Sequence, residues 1–210
     1  MNQNEKQAYE RFVALVGGNA QSVTPHILQL EAEMSTTETS LTFILEQDNG
    51  GGLNSRTETR LDKNDLFQVA AIGVYLSAPV DKDDVTYRLC SYPNALIFPN
   101  TKDQMEVIYK GSLKVSVDNI VAINKWSVMR HYFVPQVQDT TGSSTIRDNF
   151  NAQRDGIASI FPGMILAGNR KTDISLNLPR NITALESGKR PRVIVRLYGF
   201  LATNAVKYQS

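Results

Sequence analysis

Between Asn64 and Ala78 the chain runs N-D-L-F-Q-V-A-A-I-G-V-Y-L-S-A, apolar on both alternating sets of positions and too short to cross a membrane. Leu66, Ala70, Ile72, Val74 and Leu76 stand in one set, Phe67, Val69, Ala71 and Tyr75 in the other. A strand needs apolar residues in both sets only when both faces are covered, so the stretch predicts a central strand, with Ile72 and Val69 pointing to opposite sides. Gly73 removes a side chain in mid-strand, which marks a bulge or a close approach.

Other segments take their places around this strand. Tyr9, Phe12, Val13 and Val16 recur at helical spacing, which predicts an amphipathic helix over 5–16, closed by Gly17-Gly18-Asn19. Ile27 to Leu30, after Pro25, fits either one helical turn or an extended arm. From Ser35 the period changes to two. Leu41, Phe43 and Leu45 alternate with Thr42, Ile44 and Glu46, and short strands are predicted at 56–61, 85–90, 95–98, 106–109, 113–118, 126–137, 164–167, 173–178 and 192–202. Lys110-Gly111-Ser112 would turn a hairpin between two of them. Past residue 34 the pattern offers no convincing amphipathic helix.

About ten or eleven strands at intervals of roughly 8 to 15 residues, with Gly, Pro and Asn between them, predict an all-β fold. Irregular strand lengths and long connections suit a jelly-roll-like antiparallel β-sandwich better than an even up-and-down barrel. The predicted organisation is an N-terminal helical arm, 1–34, and a sandwich domain, 35–210, with a long polar loop at 138–156. A chain of 210 residues suffices for one such core.

Composition adds little to this picture. With 22 Lys+Arg against 21 Asp+Glu the net charge is +1, so no global field draws the molecule to nucleic acid or to an anionic membrane. The N-terminal residues show neither the basic nor the apolar region of a secretory signal, and no run reaches the roughly 18 apolar residues of a membrane helix. The expected compartment is a reducing cytoplasm. The single cysteine, Cys90, is expected as a small buried hydrophobe.

Candidate chemistry is sparse. His26 and His131 fall in no zinc spacing, and no G-x-S-x-G elbow offers a nucleophile. His131, in M-R-H-Y-F, is expected as a hydrogen-bonded strand histidine. Asp81-Lys82-Asp83-Asp84 lacks the glycine and glutamate of a calcium loop. Asp65, Glu106, Asp118 and Asp173 could serve a sandwich hydrolase, but no spacing pairs them. Lys189-Arg190-Pro191-Arg192 is the densest basic cluster, and Lys189, Arg190 and Arg192 form a candidate contact patch for nucleic acid, lipid or an acidic neighbour. Asn181-Ile182-Thr183 matches a glycosylation sequon, which has no meaning without a secretory signal. No metal, cofactor or catalytic set is expected.

The segments L-D-K-N-D-L-F-Q-V-A-A-I-G-V-Y-L, Y-P-N-A-L-I-F-P-N, Y-K-G-S-L-K-V-S-V-D-N and I-S-L-N-L-P, spanning Leu61 to Leu178, resemble capsid proteins of small tailless icosahedral phages of Bacteroidetes hosts, some of them lipid-containing. The resemblance implies a structural virion protein, a self-assembling major capsid or vertex subunit, synthesised in the host cytoplasm. It implies homo-oligomers, other virion proteins, and an internal membrane or packaged nucleic acid as partners, and no small-molecule substrate. Major capsid proteins of that group carry two barrels, whereas these strands make one. Tyr9, Phe12, Val13 and Val16 are the candidate assembly contacts, on an arm expected to dock on neighbouring subunits. The competing reading is a carbohydrate-binding sandwich. It needs exposed aromatics, and Trp126 lies in an apolar run where core packing is the simpler expectation.

Overall fold

The computed structural model describes residues 3–17, 22–48, 60–80, 88–135, 137–138, 147–148 and 155–205. Two helices occur among them, α1 (Gln3–Val16) and α2 (Lys102–Tyr109). The strands are β1 (Ser22–Glu33), β2 (Ser40–Ile44), β3 (Glu46–Asp48), β4 (Arg60–Asp62), β5 (Leu66–Ser77), β6 (Ser112–Val117), β7 (Ile120–Ser127), β8 (Val137–Gln138), β9 (Arg147–Asp148), β10 (Ile157–Ala167), β11 (Thr172–Asn177) and β12 (Arg192–Thr203). A 3-10 turn, Val128–His131, follows β7.

The eight long strands form two antiparallel four-stranded sheets, ordered β1-β12-β5-β10 and β2-β11-β6-β7. Their pairing is nested. The first of the eight pairs with the last (β1 with β12), the second with the seventh (β2 with β11), the third with the sixth (β5 with β10) and the fourth with the fifth (β6 with β7). Between the sheets lies one apolar core. Leu28, Leu30, Val69, Ile72, Val195 and Leu197 from the larger sheet meet Leu41, Phe43, Leu113, Val115, Ile174 and Leu176 from the smaller.

The stretch 66–77 is an interior strand, with β12 on one side and β10 on the other, as its apolar pattern predicts. Its two faces are divided differently from the simple alternation. Tyr198 pairs with Ala71 but Gly199 with Val69, so Ala70 is an extra residue and the strand carries a bulge there. Phe67 and Val69 before the bulge, and Ile72, Val74 and Leu76 after it, therefore all enter the same core, and Val69 and Ile72 do not oppose each other.

Several elements differ from expectation. Residues 22–33 are a full strand of the larger sheet, paired from Ser22–Thr203 to Glu33–Arg192, so the helical arm ends at Val16 rather than at residue 34. Pro25 is tolerated because β1 is an edge. The predicted hairpin at Lys110-Gly111-Ser112 is the end of α2 instead. Met105, Ile108 and Tyr109 recur at helical spacing and are buried with Val107, and that packing overrides the β preference of Val107, Ile108 and Tyr109. The run 95–98 is a turn: the Asn94 carbonyl accepts from the N–H groups of Ile97 and Phe98, and its side-chain Oδ1 from that of Leu96. The run 126–137 leaves the strand at Ser127 for the 3-10 turn. Cys90 is buried and bridges to Leu76 of β5. Most of the polar loop at 138–156 and of the run 56–61, and the first half of the run 85–90, lie outside the described residues.

Candidate functional site

Three of the four residues singled out on the helix, Tyr9, Phe12 and Val16, pack on their own sandwich. Phe12 and Val16 are buried against Leu66, Ala167, Phe200, Ala202 and Ala205, on the face of the larger sheet turned away from the core. The Tyr9 ring stands edge-on to Phe200 at 5.0 Å. Val13 is partly exposed, as is Leu15 on the outer side of the helix. The expectation that this face docks on a neighbour is corrected, because the same apolar stripe finds a partner within the chain.

The basic cluster is likewise occupied. Lys189 donates from Nζ to the Ile97 carbonyl at 2.8 Å, and Arg190 forms an ion pair with Glu33 at 3.3 Å. Arg192 is nearly buried and donates from Nη1 to Glu31 Oε2 at 3.0 Å. Glu31 Oε1 accepts from Gln29 Nε2, whose amide oxygen accepts from Arg196 Nε at 2.7 Å. These cations have partners within the chain, although the Arg190–Glu33 pair stays at the surface.

Each of the four acids has a partner within the chain, and Asp118 and Asp173 share Lys171. Asp65 Oδ1 accepts from the Asn204 N–H at 2.8 Å, and burial raises its pKa although that hydrogen bond opposes the shift. Glu106 lies 3.8 Å from Lys110 one helical turn on, Asp118 binds Arg170 and the Lys171 N–H, and Asp173 binds Lys171 at 3.1 Å. A fifth acid, Glu186, accepts from the side chain and N–H of Asn100 and from the Thr101 hydroxyl at the start of α2, and these bonds hold its carboxyl below the usual range. Among the described residues no group of three or more His, Cys, Asp or Glu could hold a metal ion.

The most organised polar cluster is one the sequence did not assemble. Tyr75, on the outer face of β5, is fully buried, and Gly73 leaves the space its ring occupies: a Cβ there would stand 2.6 Å from the Tyr75 hydroxyl. The Asp155 carbonyl can only accept, so Tyr75 donates to it, and Tyr198 donates in turn to Tyr75, each at 3.1 Å. The next carbonyl, that of Gly156, lies 2.9 Å from His131 Nδ1, while Trp126 Nε1 donates to His131 Nε2 at 2.8 Å. An indole N–H cannot accept, so Nε2 carries the lone pair and Nδ1 the proton. Gly156, at φ +75°, belongs to the same joint. A Cβ there would be strained by the backbone and would lie 3.0 Å from the His131 carbonyl.

Burial favours the neutral form of this cluster. Burial pushes the Tyr75 and Tyr109 phenols up, and lowers His131 to about 4, with Arg130 adding to the effect and the Gly156 hydrogen bond opposing it. Arg130 itself lies over the Trp126 ring, 4.8 Å from its centre. A histidine whose folded pKa lies below its unfolded value contributes fully above about 6.5 and loses that contribution as the pH falls toward 4. The shift corresponds to roughly 3 kcal/mol, so thermal melts are expected at clearly lower temperature at pH 4 than at pH 7. His131→Gln should flatten that part of the dependence.

No protein-family model matches the chain, and no curated protein matches its sequence significantly. Trp126, with its N–H bound to His131 and a guanidinium over its ring, is not a free platform for sugar.

Proposed function

We propose that the chain is a structural virion protein, a self-assembling capsid subunit of an icosahedral phage. The observation that carries the reading is the state of the sheet edges. Among the described residues, three of the four strands that edge the four-stranded sheets present a large apolar side chain to solvent: Ile44 on β2 is 72% exposed, Ile120 on β7 71% and Phe161 on β10 59%. Edges of a protein that stays alone are normally blunted by charge or cover, whereas apolar edges suit burial against another subunit. The nested pairing of the eight strands supports the same reading, since it is what a long hairpin folded over itself produces, the jelly-roll arrangement. One such set of eight strands among the described residues favours a single-barrel subunit, such as a vertex protein, over a double-barrel one. The resemblance to the phage capsid proteins points the same way.

Sedimentation velocity and negative-stain microscopy of the full chain test it. Rings, pentamers, trimers or closed particles are expected, and a monomer that persists at high concentration across salt and pH overturns the reading. Ile44→Lys, Ile120→Lys and Phe161→Lys should each stay within about 0.5 kcal/mol of the parent in stability, since the sites are exposed. Combined, they should reduce the assembled fraction.

A further inference from the structure

Trp126 lies in the last two residues of the edge strand β7, His131 closes the 3-10 turn, and Gly156 immediately precedes β10. One imidazole therefore ties three elements together, and it does so by being an acceptor on one side and a donor on the other. The turn it holds is also anchored at both ends. The Val128 N–H donates to the Gly111 carbonyl, and the Phe133 N–H to the Ser91 carbonyl. The turn and the residues that follow it show solvent an apolar flank, with Met129, Tyr132, Phe133 and Val134 all 38% exposed or more.

We propose that the Trp126–His131–Gly156 relay is an acid-sensitive latch: a proton taken from solvent at Nε2 sets N–H against N–H at Trp126 and frees the middle of the turn, with its apolar flank, from β7. The proton has no other place to go on the ring, because Nδ1 already carries one. Burial leaves the new charge without water. Arg130, on the same turn, opposes a second cation nearby. Burial raises the phenols of Tyr75 on the larger sheet and of Tyr109 on α2, so both keep their protons throughout the acid range. Arg196 lies over the Tyr75 ring, and Asp155, the carboxylate of the group, acts on Tyr75. The inference does not depend on the assembly reading, since the relay lies within one chain.

Trp126 is the chain's one tryptophan, so its fluorescence reports the latch directly. Emission is expected to change in one step between pH 6.5 and 4 while far-ultraviolet circular dichroism stays constant. His131→Gln, which can still accept from Trp126 and donate to Gly156, should remove the step, and Asp155→Asn should keep it. Emission that is flat to pH 4, that changes only with loss of the circular dichroism, or that still steps in His131→Gln overturns the latch. Should the glutamine variant fail to fold, histidine NMR of the natural chain decides. There are two histidines, and His26→Asn assigns them. A His131 signal titrating together with the Trp126 emission supports the latch, and one titrating near 6.5 with unchanged emission overturns it.

Discussion

Ile72→Asp is expected to leave no folded protein, and Val69→Asp and Leu66→Asp the same. Ile72 and Val69 are fully buried in the core between the sheets, and Leu66 is 1% exposed on the opposite face, under α1. A carboxylate buried without a partner costs several kcal/mol, comparable to the roughly 5 to 15 kcal/mol that holds a domain together. The residues clustered around all three are apolar. Thr42→Asp, on the exposed face of β2, is the control and should cost about 0.5 kcal/mol. Soluble expression, circular dichroism and a thermal melt of the four variants separate the cases. Leu66→Asp is the most informative: if it melts like the parent, the outer face of β5 is open at that end and the helix does not cover it.

The strand that these substitutions attack was legible because full burial writes itself as an unbroken apolar run. Which face each residue takes was not. A bulge adds one residue to one strand, and nothing at Ala70 marks it, so strict alternation sends Val69 and Ile72 to opposite sides although both enter one core. The same limit governs the Trp126–His131 contact. In a continuous strand, residues five apart face opposite sides, and only the break into a 3-10 turn after Ser127 allows the two rings to meet. Tyr75 reads as one more apolar member of its strand, and its hydroxyl finds Asp155 and Tyr198 across 80 and 123 residues of chain. Gly73 was the available signal, since a missing side chain in mid-strand makes room for a neighbour. The basic cluster failed for another reason. Composition counts charges, and the acids that neutralise Arg190 and Arg192, Glu33 and Glu31, lie on β1, more than 150 positions away. For the helix the sequence showed the apolar stripe and could not say which surface receives it.

That surface decides what the helix does, and Phe12→Ala tests it. The Phe12 side chain is 1% exposed and sits among Leu66, Ala167, Phe200 and Ala202. Truncating a buried phenylalanine costs about 3 to 5 kcal/mol, because the transfer energy of the ring is lost and the site collapses only in part. For a chain of this size that is a fall in melting temperature of about 6 to 20 °C. Leu15→Lys, on the outer side of the same helix and 55% exposed, should shift the melt by no more than about 2 °C. If α1 were instead an arm that leaves the domain to grip a neighbour, the pattern would reverse. Phe12→Ala would then melt like the parent and fail to assemble, since the ring would be buried in the assembly and not in the monomer. A large fall in the melt, read at a concentration where the chain is monomeric, places the helix in the domain and leaves assembly to the sheet edges.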